Sequence, residues 1–247
     1  MNMDYLKSEV KENIEICNGI YSLKVIHEAI VKPGQFYMLK PRAAFLGRPI
    51  SVCEVNGNEI TFVYAVVGKG TEEFKALREG DTIEIVGPLG NGFDTSKDYG
   101  KVALVGGGIG VAPLVELSKI LRKNNSDIKM DFYGGYRDDV YLHDILINYV
   151  DEVKLSTNSG KYGYKGFVTD ILDLSKYDTV LCCGPSVMME KVVSMCREQG
   201  IDVYVSMEKH MACGVGACLV CTCKTKSGNK RTCKDGPVFN GLDVVEF

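Results

Sequence analysis

The chain has 247 residues, of which 45% are hydrophobic and 25% are charged, and its formal net charge is −3. This globular composition excludes an intrinsically disordered or collagen-like chain, and the length predicts two domains or three small ones. The sequence contains neither a long Lys/Arg block nor an apolar run of about 18 residues, so we expect no nucleic-acid partner and no membrane span.

The first part of the chain, up to Phe93, has the pattern of a small all-β domain. Runs of β-branched and aromatic residues between Gly and Pro turns predict strands over residues 21–28, 35–40, 50–55, 60–67 and 81–86. One short helix is predicted over residues 71–78, where Gly80 would end it. Several short strands separated by turn signals indicate a barrel or a sandwich.

The pattern changes near Gly100 to strands that alternate with helices. Residues 101–105 form a continuous apolar run, which is typical of a strand that is covered on both faces. A helix with Pro113 near its first position follows this run. Further strands are predicted over residues 127–133, 153–156, 179–183 and 201–207, and further helices over residues 144–150 and 187–199. This alternation predicts a parallel α/β sheet with helices on both faces.

From Glu208 onwards the chain is rich in small residues and cysteines. We therefore predict a β-barrel (residues 1–98), an α/β domain (99–207) and a cysteine-rich segment (208–247). The N-terminal residues lack the basic and apolar regions of a signal peptide, so we expect a cytoplasmic protein. The ten cysteines would stay reduced in the cytoplasm, which argues against a disulfide framework and favours a metal site.

The cysteine spacing in this segment is that of plant-type 2Fe-2S iron–sulfur sites, C-x4-C-x2-C followed by a fourth cysteine. The predicted metal ligands are Cys213, Cys218, Cys221 and Cys233. Small residues between them, such as Gly214, would let the backbone wrap a cluster and direct N–H groups at its sulfur atoms. A structural zinc site is the alternative, but zinc sites usually pair two short C-x2-4-C motifs and this segment has one.

Cys223 leaves an ambiguity in that set of ligands. It follows Cys221 by two residues in a predicted strand over residues 220–224, so both side chains would lie on the same face. Cys223 could therefore replace Cys221 as a ligand, although the C-x4-C-x2-C spacing favours Cys221.

Two glycine-containing turns follow strands of the predicted sheet. The first turn contains Gly106, Gly107, Gly108 and Gly110, and the second contains Cys183, Gly184 and Pro185. The first turn precedes a helix N-terminus, whose free N–H groups and dipole favour phosphate. The strict dinucleotide fingerprint would need Gly or Ala at Val111, so this turn alone is also compatible with a tight turn that binds nothing. Two such turns at the carboxyl ends of parallel strands predict a ligand crevice.

The barrel carries two candidate cofactor motifs. The first is the start of a predicted strand, Arg48, Pro49, Ile50 and Ser51. Its arginine can bind a phosphate through two nitrogens, and its serine can hydrogen-bond with the edge of a flavin ring. The second motif, Gly-Lys-Gly-Thr ending at Gly70 and Thr71, has the form of a phosphate loop at a helix start. An isolated arginine would more simply form a surface ion pair, so the order of the motifs carries the interpretation.

In this order, the motifs resemble those of the ferredoxin reductase-like flavoproteins, which join an FAD-binding β-barrel to an NAD(P)-binding α/β domain. The matching motifs are the Arg48 motif, the Gly-Lys-Gly-Thr loop, the glycine turn that leads to Pro113 and the Cys-Gly-Pro turn at Cys183. With its C-terminal cysteines, the chain is similar over nearly its whole length to the electron-transfer subunits of class 1B dihydroorotate dehydrogenases.

The resemblance implies three cofactors: FAD, a 2Fe-2S cluster and NAD. It assigns to FAD the residues Arg48, Pro49, Ile50, Ser51, Val63, Tyr64, Ala65, Gly70 and Thr71, and it assigns the two turns at Gly106 and Cys183 to NAD. It further implies an FMN-containing catalytic subunit that oxidises dihydroorotate, in a heterotetramer with two copies of each chain. Electrons would pass from FMN through the cluster and FAD to NAD⁺ in pyrimidine biosynthesis. No catalytic acid–base residue is expected, because the cofactors carry the chemistry.

Alternatives exist for the nucleotide and for the function. Arg137 could meet the 2′-phosphate of NADPH or pair with Asp138 or Asp139 at the surface, whereas the resemblance favours NAD. Another reductase of the same plan would use the same cofactors, for example the small subunit of an NADH-dependent ferredoxin:NADP oxidoreductase or a sulfide-reducing relative. A zinc-stabilised adaptor without catalytic activity is the alternative from a different class.

Overall fold

The computed structural model describes residues 4–247, and its first element is a long strand that the sequence pattern did not single out. The predicted barrel region begins with residues 1–3, which lie outside the described residues. Strand β1 (Asp4–Cys17) has register shifts between Val10 and Glu12 and between Glu15 and Cys17. A bulge shifts the alternation of inward and outward side chains, so the strand lacks the regular period-2 pattern by which strands are recognised.

The N-terminal region is a closed barrel of six antiparallel strands, in the order β1-β2-β5-β4-β3-β6. Its other strands are β2 (Ile20–Ile26), β3 (Phe36–Lys40), β4 (Arg48–Asn56), β5 (Glu59–Ala65) and β6 (Thr82–Leu89). Helix α1 (Lys69–Lys75) packs Phe74 against Tyr64 in the barrel core, with ring centroids 5.9 Å apart. The prediction of a barrel with one short helix is therefore confirmed.

The second region is the predicted parallel sheet with helices between its strands. Its elements are β7 (Val102–Gly107), α2 (Ala112–Asn124), β8 (Met130–Tyr136), α3 (His143–Leu146), β9 (Glu152–Thr157), β10 (Tyr164–Lys165), β11 (Thr179–Cys183), α4 (Ser186–Gln199) and β12 (Asp202–Ser206). The helix predicted over residues 144–150 ends at Leu146 instead. Asn148 Nδ2 donates to the carbonyl oxygens of Asp144 and Ile145, both at 3.1 Å, which satisfies backbone groups at this helix end.

The strand order places a change of direction between β7 and β11. The sheet ends with β15 (Val238–Asn240), and its seven strands run β10-β9-β8-β7-β11-β12-β15, so the chain winds outward from β7 on one side and resumes at β11 on the other. All neighbours are parallel except β15, which pairs antiparallel with β12. This last strand comes from the cysteine-rich segment, so that segment adds one strand to the edge of the sheet.

The C-terminal segment also contains a hairpin of β13 (Thr222–Thr225) and β14 (Gly228–Arg231), and most of its other residues form loops. The barrel and the sheet share apolar contacts, since Cys53 and Val63 of the barrel belong to the same buried cluster as Val111 and Ala112. None of the helices within residues 4–247 combines the length and apolar character needed to cross a bilayer.

Candidate functional site

The two predicted flavin motifs of the barrel lie against each other. Arg48 begins β4, and its guanidinium packs on the backbone of Gly70 in the first turn of α1. A Cβ atom added at Gly70 would lie 2.6 Å from Arg48 Nε, so the glycine makes the contact possible. Arg48 Nη1 donates to the carbonyl oxygen of Leu46 at 2.6 Å, which helps to orient the side chain. The guanidinium and the start of α1 thus form one cationic surface that suits a phosphate group.

Thr71 orders the loop that enters α1. Its Oγ1 accepts hydrogen bonds from the N–H groups of Val67 and Gly68, at 3.0 and 3.2 Å, and donates to the carbonyl oxygen of Gly68 at 3.0 Å. The first backbone N–H groups of a helix have no partner within the helix, so those of Lys69 and Gly70 can face a ligand. Thr71 therefore supports the phosphate loop through its buried hydroxyl.

Glu73 is a supporting residue that the sequence analysis missed. Its carboxylate accepts hydrogen bonds from the N–H groups of Ala43 and Ala44, both at 2.8 Å. The hydrogen bond from Ala43 is the largest cause that lowers the pKa of Glu73, and the nearby Arg48 guanidinium acts in the same direction. This carboxylate ties the loop before Arg48 to α1. The only sequence signal is an acidic residue in a short helix, which is too common to single out.

The other predicted flavin residues lie on β4 and β5. Pro49, Ile50 and Ser51 are half-buried in β4, opposite Met38, Tyr37 and Phe36 of β3. The Tyr64 side chain points into the barrel, where its hydroxyl donates to Asn13 Oδ1 at 3.2 Å. Val63 points to the other side, into the core shared with the sheet, and Ala65 follows at the strand end. A flavin could therefore meet Tyr64 only through its backbone.

The two predicted nucleotide turns also come together, at the change of strand order. Gly106 of β7 lies beside Cys183 of β11. A Cβ atom added at Gly110 would lie 2.6 Å from the carbonyl oxygen of Cys183 and from the nitrogen of Gly184. Gly108 has a φ of 53°, a left-handed conformation that favours glycine. The crevice at the carboxyl ends of parallel strands, where the strand order reverses, is the usual ligand site of such sheets.

Cys183 is a neutral thiol in this crevice. Burial raises its pKa far above the usual range, and a hydrogen bond with Ser206 acts in the opposite direction. Arg137, predicted as a candidate phosphate ligand, is exposed at the end of β8. Within residues 4–247 it forms no ion pair with Asp138 or Asp139, and Asp138 instead accepts from the N–H of Ser159 at 3.2 Å. The surface ion pair proposed for Arg137 is therefore not formed, and its role toward a 2′-phosphate stays a prediction.

The four predicted cluster cysteines lie in one loop region with the backbone that the sequence led us to expect. Gly214 and Gly216 have φ values of 70° and 84°, which allow the chain to curl between Cys213 and Cys218. Cys213 Sγ accepts from the N–H of Cys218 at 3.4 Å. Burial acts to raise the pKa of the Cys213 thiol, but N–H groups that include that of Cys218 lower it to about 6. A thiol of this kind readily becomes the thiolate that binds metal.

Cys221 and Cys233 form a second, buried pair, with their Sγ atoms 3.2 Å apart. A 2Fe-2S cluster takes two thiolates on each iron, whereas a zinc site surrounds one ion with four ligands. Two pairs of thiols are the arrangement that the two irons of a 2Fe-2S cluster require.

Cys223 is separated from this site by the start of β13. The strand begins at Thr222, so Cys221 precedes it, and the predicted strand over residues 220–224 starts too early. Burial raises the pKa of the Cys223 thiol. Cys223 is buried inside the strand, while Cys221 faces Cys233.

An ion pair braces the cluster loop and was not found from the sequence. Arg231 Nε and Nη2 donate to Asp235 at 2.9 and 3.1 Å, and Arg231 Nη1 donates to the carbonyl oxygen of Gly216 at 3.3 Å. The hydrogen bonds from the side chain and the backbone N–H of Arg231 lower the pKa of Asp235 to about 2. The guanidinium connects the two halves of the ligand set through their backbone.

The cluster loop packs directly on the side of the barrel where the sequence predicts flavin binding. Cys221 and Cys233 share a buried apolar cluster with Phe36, Met38 and Leu89. A Cβ atom added at Gly214 would lie 2.7 Å from Met38 Cγ. Met38 is itself paired with Pro49 of the predicted flavin motif. One residue of β3 therefore separates the predicted cluster from the predicted flavin strand.

Comparison with known proteins identifies relatives of the whole chain and of its last region. Residues 208–245 match the family model described as the iron-sulfur cluster binding domain of dihydroorotate dehydrogenase B. The dihydroorotate dehydrogenase B (NAD(+)) electron transfer subunit of Clostridium perfringens strain 13 is 72% identical over 244 residues, 99% of each chain. The subunit of the same name from Clostridium acetobutylicum is 51% identical over 247 residues, again 99% of each chain.

Solved structures share the fold. A chain of the NADH-dependent reduced ferredoxin-NADP oxidoreductase has a TM-score of 0.87 and 30% identity, and the match covers 96% of this chain and 89% of that chain. The ferredoxin reductase of carbazole 1,9a-dioxygenase has a TM-score of 0.70 at 20% identity, over 81% of this chain and 67% of that chain. At that identity the second likeness concerns the fold alone, and it agrees with the predicted barrel and α/β sheet.

Proposed function

Because the chain belongs to the family of electron transfer subunits of dihydroorotate dehydrogenase B (NAD(+)), we propose that its three regions hold the parts of one electron path. The chain is a component of a flavin and iron–sulfur oxidoreductase that uses FAD, a 2Fe-2S cluster and NAD. When bound, these groups relay single electrons through the cluster to FAD and a hydride from FAD to NAD⁺, chemistry that protein side chains do not supply.

The residues of each region have separate tasks in this proposal. Arg48 and the first turn of α1 bind the FAD pyrophosphate, and Ser51 lies where it can bind the flavin ring. The glycine turn at Gly106 and the Cys-Gly-Pro turn at Cys183 bind NAD. The two cysteine pairs hold the cluster. We keep residues 1–98, 99–207 and 208–247 as the functional units, with β15 as the anchor of the third unit on the second.

The observation that carries the proposal is the contact of the cluster loop with Met38. This contact joins the predicted cluster ligands to β3, the strand that pairs with the Arg48 motif. Electron transfer between two cofactors requires that they lie close together with little solvent between them. Phe36, Met38 and Leu89 supply such an apolar separation.

The chain works with a catalytic subunit, as the family name implies. We further propose that this partner contains FMN, that two copies of each chain assemble, and that the complex works in the cytoplasm. Cys218 is exposed, so the cluster would lie at the surface where a partner can deliver electrons. All ten cysteines are free thiols, which fits a reducing compartment.

The first test is the visible spectrum of the anaerobically purified chain, with flavin, iron and sulfide quantified. The proposal requires about one FAD, two irons and two sulfides per chain. A colourless protein that contains zinc and no flavin would overturn it, since that result would match an adaptor stabilised by zinc.

A second test separates the proposed function from that of the ferredoxin-NADP oxidoreductase, which the structural likeness favours as the other candidate. The purified chain is mixed with the catalytic subunit from the same source, dihydroorotate and NAD⁺. Formation of NADH that depends on both chains supports the proposal. NADH-dependent reduction of ferredoxin by the chain, without any activity on dihydroorotate, would support the other candidate.

A further inference from the structure

Helix α2 carries two charged side chains that reach across to the barrel. Glu116 is 4% exposed, and its Oε2 accepts a hydrogen bond from the N–H of Val55 at 2.9 Å. Lys119, one turn later, donates to the carbonyl oxygen of Val55 and to Asn56 Oδ1, both at 2.7 Å. The two side chains also form an ion pair with each other at 3.6 Å. Both backbone groups of Val55 are therefore bound by side chains from the other domain.

These side chains take the place of a neighbouring strand. The pairing of β4 with β3 ends at Ser51, and a register shift follows between Val52 and Glu54 on the β5 side. Backbone groups at such an edge need partners, since an unsatisfied buried N–H or C=O costs free energy. Glu116 and Lys119 supply one acceptor and one donor at the correct spacing. Together with Val55 we name this arrangement the α2–β4 clasp.

The clasp joins the two elements that carry the proposed flavin and nicotinamide sites. β4 begins with the Arg48 motif, and α2 begins directly after the turn that contains Gly106 and Gly110. Around the clasp the domains also share apolar contacts, between Cys53 or Val63 and residues such as Val111. Further hydrogen bonds join residues next to the domain boundary, where Asn124 Nδ2 donates to the carbonyl oxygen of Thr95 at 3.1 Å and Lys97 Nζ donates to Asp202 at 3.3 Å. Apolar contacts are not directional, so they hold the domains together without fixing their angle. Hydrogen bonds require alignment of donor and acceptor, so the clasp can fix the angle between the two domains.

The charges of the clasp are balanced by one lysine. Lys119 Nζ lies 3.4 Å from Glu54 Oε1 and 3.6 Å from Glu116 Oε2. Without its ammonium group, two half-buried or buried carboxylates would face each other at the domain interface. Replacement of Lys119 by an apolar residue should therefore disturb the interface more than Glu116→Gln, which keeps an oxygen that can accept from Val55.

We propose that Glu116 and Lys119 are positioning residues for hydride transfer, which hold the nicotinamide-binding turn at a fixed distance and angle from the flavin-binding strand. The inference rests on the proposed function, because it assumes that FAD and NAD occupy those two sites. Hydride transfer is sensitive to such alignment, and a misplacement of about 1 Å can cost roughly a hundredfold in rate. Nucleotide binding itself depends on the turns, which the clasp does not contact.

The test is stopped-flow reduction of the FAD in the holoprotein by NADH, monitored by flavin absorbance over a range of NADH concentrations. Lys119→Met should lower the limiting rate about 10- to 100-fold, while the NADH concentration at half-maximal rate stays nearly constant. Glu116→Gln should give a smaller loss. The long-wavelength absorbance of the complex between reduced flavin and NAD⁺ should weaken in parallel, since it reports the stacking of the two rings.

The matched control is Lys176→Met, which breaks an exposed ion pair with Asp173 at 3.5 Å, outside the interface. It should leave rate and absorbance unchanged. If both clasp variants keep the wild-type rate and absorbance and lose only thermal stability, the clasp is merely structural and the inference is wrong. If Lys119→Met does not fold, Glu116→Gln decides alone. If NADH does not reduce the FAD bound to the wild-type protein, the proposed function is wrong, whatever the variants show.

Discussion

At the scale of single residues, Gly70 makes room for the Arg48 guanidinium. The backbone of Gly70 occupies the surface on which the guanidinium lies, and any side chain there would meet Nε. Gly68, two residues earlier in the same loop, has open space around its Cβ position. Its φ of 177° is extended backbone that any residue adopts. These two glycines therefore provide a matched pair, in which one is constrained by the Arg48 contact and the other is not.

We predict that Gly70→Ala weakens FAD binding and that Gly68→Ala does so much less. The added methyl group displaces the guanidinium from the phosphate position, and a hydrogen bond to a charged group contributes about 1.5–3 kcal/mol. The dissociation constant of FAD should rise about 10- to 100-fold, as measured by flavin fluorescence on titration of flavin-free protein. Equal binding by both alanine variants would show that the Arg48–Gly70 contact has no part in FAD binding.

The Arg48 motif and the Gly-Lys-Gly-Thr loop could both be found in the sequence, but the contact between them could not. Arg48 stands out beside Pro49, and Gly70 belongs to a glycine loop before a helix. Their contact depends on the closure of the barrel and on the loop that Glu73 ties to α1. Hydrogen bonds between distant segments leave no pattern in a single sequence. The same holds for the contact of Arg231 with Gly216 and for the α2–β4 clasp.

At the scale of elements, the start of β13 decides which cysteine can bind the cluster. Leu219 has a φ of 63°, and the Thr222 hydroxyl donates to its carbonyl oxygen at 2.6 Å, which closes a tight turn before the strand. Cys221 lies in this turn, while Cys223 lies inside the strand. A non-glycine residue with positive φ is uncommon, so the sequence did not indicate the turn.

We predict that Cys223→Ser keeps the cluster and that Cys221→Ser loses it. Serine at position 223 leaves all four predicted ligands in place, whereas serine at position 221 removes the thiolate that faces Cys233. Iron and sulfide per chain should therefore stay near the wild-type ratio in the first variant and fall by about half or more in the second. Visible circular dichroism provides an independent measure of the intact cluster. The opposite outcome would exchange the roles of the two cysteines.

Regular elements were predictable where the pattern was uninterrupted. The apolar run at residues 101–105 became β7, and the predicted strand over residues 179–183 matches β11 in full. β1 was missed because two register shifts break its alternation. β15 was missed because only three residues pair, and their strand is defined by the edge of β12 rather than by their own sequence.

At the scale of the whole molecule, the packing of the cluster loop on the barrel fits the proposed order, in which the cluster lies next to the flavin. The motifs predicted three cofactors, and the family resemblance implied the order in which electrons pass between them. Neither could show that Met38 lies between the cluster loop and the flavin strand, because these segments are distant in the chain. Gly214 has no side chain at the point of contact, so the loop approaches Met38 closely.

We predict that Gly214→Ala slows electron exchange between cluster and flavin severalfold, while the reduction of FAD by NADH keeps its rate. Alanine at a left-handed position costs about 1 kcal/mol, and its methyl group would also push the loop away from Met38. Gly228→Ala is the control, since Gly228 also has a positive φ of 102° but no atom near its Cβ position. After rapid mixing with NADH, the later bleaching of cluster absorbance gives the exchange rate. A slow phase in both variants would assign the effect to backbone strain alone.

The return of the chain to the sheet at β15 bears on how the protein is matured. The chain leaves the sheet after β12 and returns beside it as β15, so both ends of the cysteine-rich segment are held by adjacent strands about 4.8 Å apart. These two strands are joined by backbone hydrogen bonds between residues that are not cysteines. We therefore expect the chain to fold completely without the cluster, so that iron and sulfide are inserted into an already folded protein. A cluster lost to oxidation could then be replaced in the same molecule without new protein synthesis.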